Sequence, residues 1–175
     1  YCYEEKRNAQ IRGTNTYYEM DELSKAIPAG ADGVIFLPYM KGERSPIWNA
    51  AAKGVYYGID FEKKRGHLIR ASQEGVAYSL RHNLEIAEQA GAQVTELWGM
   101  GGCANSQVFM QIKADVTGKV IRVPRSDMAT TLGAAILAGI GTGVYQDYED
   151  ARNATNKVQK VYSPNAAVKK RSEEH

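Results

Sequence analysis

The sequence predicts an α/β fold, and three observations carry that prediction. After residue 54, strand-like and helix-like stretches alternate along the chain. One junction, Thr95 to Ser106, reads as a short strand, a glycine-rich turn and the start of a helix. The composition, 43% hydrophobic and 24% charged over 175 residues, is that of an ordinary globular chain with material for one sizeable core.

Taken in order, Tyr1 to Arg12 is polar, and Gly13-Thr14-Asn15 breaks it. Thr16 is placed to cap a helix to Ile27, with Glu19 at the capping-box position and Tyr17, Met20, Leu23 and Ile27 at helical spacing. Pro28, Gly30 and Gly33 end it. Gly33 to Pro38 reads as a buried strand closed by its proline, Tyr39 to Ala52 as a long polar loop, and Gly54 to Ile59 as a second strand. Arg65 to Ala90 is the longest helix. Leu68, Ser72, Val76, Leu80, Leu84 and Ala87 recur at three- and four-residue steps, which predicts a buried stripe. Gly75 lies in this helix at a cost of about 1 kcal/mol relative to alanine, so a close neighbour is expected there.

Gln107 to Thr117 is the helix after the glycine turn, capped by Asn105 or Ser106, and Gly118 ends it. Lys119 to Pro124 is a further strand. Ser126 is placed to cap a small-residue helix, Met128 to Ile140, whose low bulk predicts tight packing. Tyr145 to Ala154 reads as a short turn of helix, Val158 to Tyr162 as an edge strand, and Ala166 to His175 as a last helix cut short. With Tyr1 beginning in mid-pattern, the chain reads as a piece of a longer protein.

The net charge of +2, with basic residues spread out, gives no case for nucleic acid. The one basic run, Lys169-Lys170-Arg171, reads as a solvated helix face. Cys2 and Cys103 form neither a disulfide framework nor a metal pattern, which makes a reducing, cytoplasmic setting the default. No apolar run approaches the ~20 residues of a membrane span.

In the turn, Gly99, Gly101 and Gly102 let the backbone take positive φ and approach a ligand. The helix start behind them suits a nucleotide or another anion, and a tight packing turn would use the same residues. Gly99 to Ala104 also fits the dinucleotide spacing G-x-G-x-x-A, which would make the chain an NAD-dependent oxidoreductase. That pattern belongs in a first βαβ unit, and too few strands follow here.

A wider resemblance takes in Gly33 to Ala151. Leu37-Pro38-Tyr39 with Gly42-Glu43-Arg44-Ser45-Pro46, Lys53-Gly54 with Gly58-Ile59, and His67-Leu68 with Arg70-Ala71 and Glu74-Gly75 are three of its blocks. Gly101-Gly102-Cys103-Ala104-Asn105-Ser106 with Gln111 and Ala114-Asp115, then Leu132-Gly133-Ala134-Ala135 with Ala138-Gly139, are the others. In order and spacing they resemble the carboxy-terminal domain of the FGGY family of carbohydrate kinases, most closely its members acting on xylulose. The chain departs from the family pattern at Asn49, Lys53, Gln73, Cys103 and Asn105.

The resemblance implies a ribonuclease H-like fold of the actin and sugar-kinase type, a mixed sheet flanked by helices. Residues 1–175 would be the ATP-binding domain, with the amino-terminal substrate domain outside this chain. It implies that Gly101, Gly102, Cys103, Asn105 and Ser106 line the adenine pocket. The Gly133-Ala134-Ala135 helix would be a packing and hinge element beside the cleft. The catalytic base and the Mg²⁺ ligands would lie in the other domain. The parent enzyme would move the γ-phosphoryl group of MgATP to a sugar hydroxyl, with D-xylulose preferred over gluconate, glycerol, ribulose or a deoxy-sugar. A homodimer is consistent with the family, and this chain alone would lack kinase activity. A rival of another class is a non-catalytic nucleotide-binding or assembly module.

Of the remaining residues, Glu43 reads as an ion-pair partner of Arg44, Asp115 as a surface or packing residue and Cys103 as a small turn residue. His67 reads as a polar residue of the helix start, while His82 and His175 read as solvent-facing.

Overall fold

A computed structural model describes residues 2–125, 129–155 and 157–168. The first helix, α1 (Tyr3–Arg12), has no apolar stripe, and only Glu5 and Ala9 are buried in it. Charge fixes it instead. Arg65 bonds Glu4 and Glu5, the latter at 2.6 Å. Gly13 closes it with φ 66°.

Helix α2 (Thr16–Lys25) is capped by Asn15, whose side chain accepts the Tyr18 N–H at 2.8 Å. The expected Thr16–Glu19 capping box does not form. Asparagine is at least as good a cap one residue earlier. Glu19 is drawn into the protein, where it accepts from the Thr14 hydroxyl at 2.7 Å and from Arg12 at 3.0 Å. The helix also stops two residues short of Ile27.

Strands β1 (Ile35–Leu37) and β2 (Val55–Tyr57) pair antiparallel, with Phe36 opposite Tyr56. Helix α3 (Arg65–Gln89) packs against β1, against α2 and against the later helix α4 (Gln107–Thr117). Its buried residues are Gly66, His67, Ala71, Glu74, Gly75 and Ala77. This corrects the expected stripe, whose Val76 is 40% exposed. The helix is gripped through small and polar positions. Glu74 accepts from Arg70 at 2.6 Å and from the Gly30 N–H at 3.0 Å. Ser24 bonds Gln73, which donates to Asp21. His67 Nδ1 accepts the Lys64 N–H at 2.9 Å, so its proton sits on Nε2, 3.1 Å from Asp32 Oδ2.

The second sheet orders β3 (Glu96–Trp98), β4 (Val120–Pro124) and β5 (Val158–Tyr162), with β3 parallel and β5 antiparallel to β4. Helix α4 covers one face, burying Met110 and Ala114 on Ile121 and Val123. Its other side meets α3 through Ile112, Val116 and Ala77. A third cluster, Ala31, Val34 and Ala71, joins α3 to the segment before β1.

Helix α5 (Ala129–Gly141) departs from expectation. Among its described residues only Gly139 is buried, against the Tyr145 ring, and Leu137 is 57% exposed. Close packing is served at Gly139 alone among the described residues, where a Cβ would meet the Tyr145 ring at 2.6 Å, whereas Gly133 and Gly141 face open space. Helix α6 (Tyr148–Thr155) follows α5 and packs on it. The expected cap at Ser126, the helix start at Met128, the run Lys169 to Arg171 and His175 lie outside the described residues.

Candidate functional site

The chain leaves β3 at Gly99, whose N–H extends the ladder to Arg122 O at 2.9 Å. A Cβ on Gly99 would meet Met110 Sδ at 2.9 Å and Ile121 Cγ2 at 3.3 Å, so this glycine serves packing. Gly101, at φ 78°, turns the chain. Gly102–Asn105 then make one 3-10 turn, closed by Ala104 N–H to Gly101 O at 2.9 Å and Ser106 N–H to Cys103 O at 3.2 Å. Ala104 is buried and anchors the turn on the core.

Around that anchor, Gly102, Cys103 and Asn105 are exposed, and Gly101 and Ser106 are half-buried. A Cβ on Gly102 would have no neighbour within 4 Å. No contact among the described residues requires glycine there. Ser106, not Asn105, is the helix cap: its Oγ accepts the Phe109 N–H at 3.0 Å. The five expected residues thus share one turn, three of them on its surface and one spent on the helix.

Asn105 borders a cavity of about 520 Å³ between α2 and α4, with Tyr18, Gln107, Gln111 and Tyr162 in its wall. The Tyr162 hydroxyl is buried without a hydrogen-bond partner among the described residues. Burial raises its pKa above the ordinary 10.0. On α4, Lys113 Nζ stands 4.2 Å from the centre of the Phe109 ring. Burial lowers its pKa below 10.5, and the nearby Cys103 opposes that shift. Tyr18 and Tyr162 come to the turn's neighbourhood from distant parts of the sequence, and no local motif marks them.

Asp115 is structural. Its Oδ1 accepts from Gln111 and from the Asn165 N–H, both at 2.8 Å, which ties the chain after β5 to α4. Glu43 does not pair with Arg44. Its Oε1 accepts the backbone N–H groups of Arg44 at 2.8 Å and Ser45 at 2.9 Å, because a carboxylate two residues away can close that turn. A Cβ on Gly133 would find no neighbour within 4 Å, and among the described residues α5 packs chiefly on α6. No group of three histidine, cysteine or acidic side chains among the described residues converges on a metal position.

A strand, a glycine turn and a capped helix built this way define a candidate nucleotide-facing site on an α/β scaffold. The model of the FGGY family of carbohydrate kinases, C-terminal domain, matches residues 2–142, and the chain belongs to that family. A xylulose kinase from Staphylococcus epidermidis is 33% identical over 150 residues, which is 86% of this chain and 30% of that protein. The crystal structure of xylulose kinase from Rhodospirillum rubrum superposes with a TM-score of 0.81 at 30% identity, covering 97% of this chain and 34% of that one. The structure of Plasmodium falciparum glycerol kinase with ADP superposes with a TM-score of 0.76 at 26% identity, covering 90% and 32%. The fold is therefore the ribonuclease H-like one of sugar kinases, and the chain spans about a third of the length of these relatives.

Proposed function

We propose that this chain is the adenosine-holding domain of an ATP-dependent sugar kinase whose substrate domain lies elsewhere in the parent polypeptide. The observation that carries the reading is Gly102: a backbone exposed at the head of α4, with open space where a side chain would stand. Family membership and the likeness to a glycerol kinase solved with ADP support it.

In this reading the Gly101–Gly102 backbone receives the face of the adenine ring. Cys103 and Asn105 bound the pocket, and Ser106 holds the turn in shape. MgATP supplies the transferred γ-phosphoryl group. This domain orients the nucleotide and excludes water from one side of it, and the metal carboxylates and the general base belong to the other domain. Phosphoryl transfer is chiefly positioning and charge neutralisation, so a domain that holds one end of the nucleotide has no turnover by itself. The sugar we propose is D-xylulose, supported by the xylulose kinases among its relatives.

Calorimetric titration with MgADP, MgATP and NADH tests the site. Binding of MgADP without NADH is expected. Ligand at 100 times its dissociation constant also stabilises the fold by about 2.7 kcal/mol, which a melting curve reads independently. NADH binding without MgADP overturns the reading. A sugar panel on the intact kinase, with D-xylulose expected to give the highest kcat/KM, tests the substrate.

A further inference from the structure

Helices α1 and α2 form a hairpin that stands apart from the apolar cores. The buried side chains of the two helices are Glu5, Ala9, Glu19 and Ser24, three of them polar. Among the described residues, none from either helix belongs to the three apolar clusters or packs against them. A short set of polar bonds holds the hairpin instead. Arg12 and Thr14 fix Glu19 within it. Arg65, the first residue of α3, ties α1 through Glu4 and Glu5. Ser24 and Asp21 tie α2 through Gln73.

One end is pinned more firmly. A Cβ on Gly66 would lie 2.8 Å from Leu23 O, and Ile27, just past α2, packs on the Ala31 cluster. Beyond it, Gly30, Ala31, Asp32 and Gly33 all take positive φ. The Gly30 N–H on Glu74 and Asp32 on His67 fasten this run. Ala31 and Asp32 are not glycines, and such backbone persists only where its surroundings impose it. The end of α2 is therefore a fixed pivot, whereas its other end and α1 depend on charge. We propose that α1 and α2 act as a charge-latched flap that swings about Leu23 to Ile27, with Arg65 and its two carboxylates as the latch.

The flap has a cavity to close. Tyr18, Asp21 and Lys25 form the α2 side of the cavity of about 520 Å³, and Asn105, Gln107 and Gln111 the α4 side. No hydrogen bond or ion pair crosses from α2 to α4 among the described residues, so nothing polar locks that wall shut. Swinging α2 away opens the cavity along that side. The Arg65 side chain is 45% exposed, so salt reaches and screens its ion pairs, while apolar contacts are not screened. Segments with few buried apolar contacts are also the first to open locally. The flap therefore opens as ionic strength rises while the body stays closed. The inference rests on the hairpin's anchors and is independent of the nucleotide reading.

Hydrogen–deuterium exchange at about 0.1 M and about 1 M NaCl, where the screening length falls from about 10 Å to about 3 Å, tests it. Amides within α1 and α2 should exchange together and about tenfold faster at the higher salt, the scale of two ion pairs, while those of α4 and β4 keep their rates. Arg65→Gln should bring the fast rates at low salt, and Glu4→Gln, at an exposed carboxylate, part of that rise. Should Arg65→Gln release the whole chain, seen as lost protection in β4, the salt series and Glu4→Gln decide. A buried reporter reads the cavity. With Cys2 and Cys103 replaced by serine, Ile112→Cys, in the cavity wall, should react with iodoacetamide faster at high salt by the same factor as the hairpin amides. A hairpin that exchanges in step with α4 at both salts, or that stays protected in both Arg65→Gln and Glu4→Gln, overturns the latch. Alkylation of Ile112→Cys at a salt-independent rate overturns the flap.

Discussion

The carbonyl oxygen of Phe36 occupies the space where a side chain on Gly75 would begin: a Cβ there would lie 2.2 Å from it. The oxygen belongs to the backbone of β1 and cannot rotate away. Gly75→Ala would gain about 1 kcal/mol of helix propensity. Overpacking of this kind costs ~1–3 kcal/mol and should prevail. We expect net destabilisation of about 1–2 kcal/mol by urea unfolding at an unchanged m-value. A stabilised Gly75→Ala protein would mean that α3 and β1 are not in contact.

The glycines of the turn should separate by phenotype. Gly99 faces Met110, Ile121 and Val123, whereas Gly102 faces open space. Gly99→Val should therefore destabilise the fold by about 1–3 kcal/mol. Gly102→Val should leave stability within about 0.5 kcal/mol, yet weaken MgADP binding at least tenfold by filling the space over the backbone. Unchanged MgADP affinity in a folded Gly102→Val protein would remove Gly102 from the site.

The Tyr162 hydroxyl is buried and unpartnered among the described residues. A buried polar group left unsatisfied costs ~1–3 kcal/mol, so Tyr162→Phe should raise stability by about 1 kcal/mol at neutral pH. The pH dependence follows from the raised phenol pKa. Well below pH 10 the phenol is neutral in both folded and unfolded chains, and its contribution is constant. As pH climbs from 10.0 toward the higher folded value, the unfolded chain ionises first and stability falls. Tyr162→Phe should remove that alkaline fall, which melting temperatures between about pH 9 and 11 would reveal. A Phe variant less stable at neutral pH would show that the hydroxyl has a partner.

Glu43 and Arg44 should not behave as a pair. Glu43 closes its turn through two backbone N–H groups. Glu43→Ala should cost about 1 kcal/mol and Arg44→Ala less than about 0.5 kcal/mol. Equal losses that fail to add in the double variant would restore the ion pair.

The sequence carries the fold where local chemistry decides it. The turn from Trp98 to Ser106, the Gly118 helix end and the edge strand Val158–Tyr162 all lie where glycine, capping and alternation place them. It carries less where distant charges decide. Helix α1 has no apolar rhythm, and its anchor, Arg65, is 60 residues from Glu5. On α3 the visible leucine and valine stripe misled, because Glu74 and His67 are buried by partners at Gly30 and Asp32 that precede the helix. Within the candidate site the glycines and the capping serine were legible. The neighbours contributed by α2 and β5 were not, because nothing local marks Tyr18 or Tyr162.

Ser106 has one further consequence. Its oxygen holds the Phe109 amide while its own N–H closes the 3-10 turn on Cys103. The first amides of α4 and the glycine turn are therefore anchored through one residue, and a ligand bound at the turn is expected to slow deuterium uptake inside the helix, at amides it does not touch.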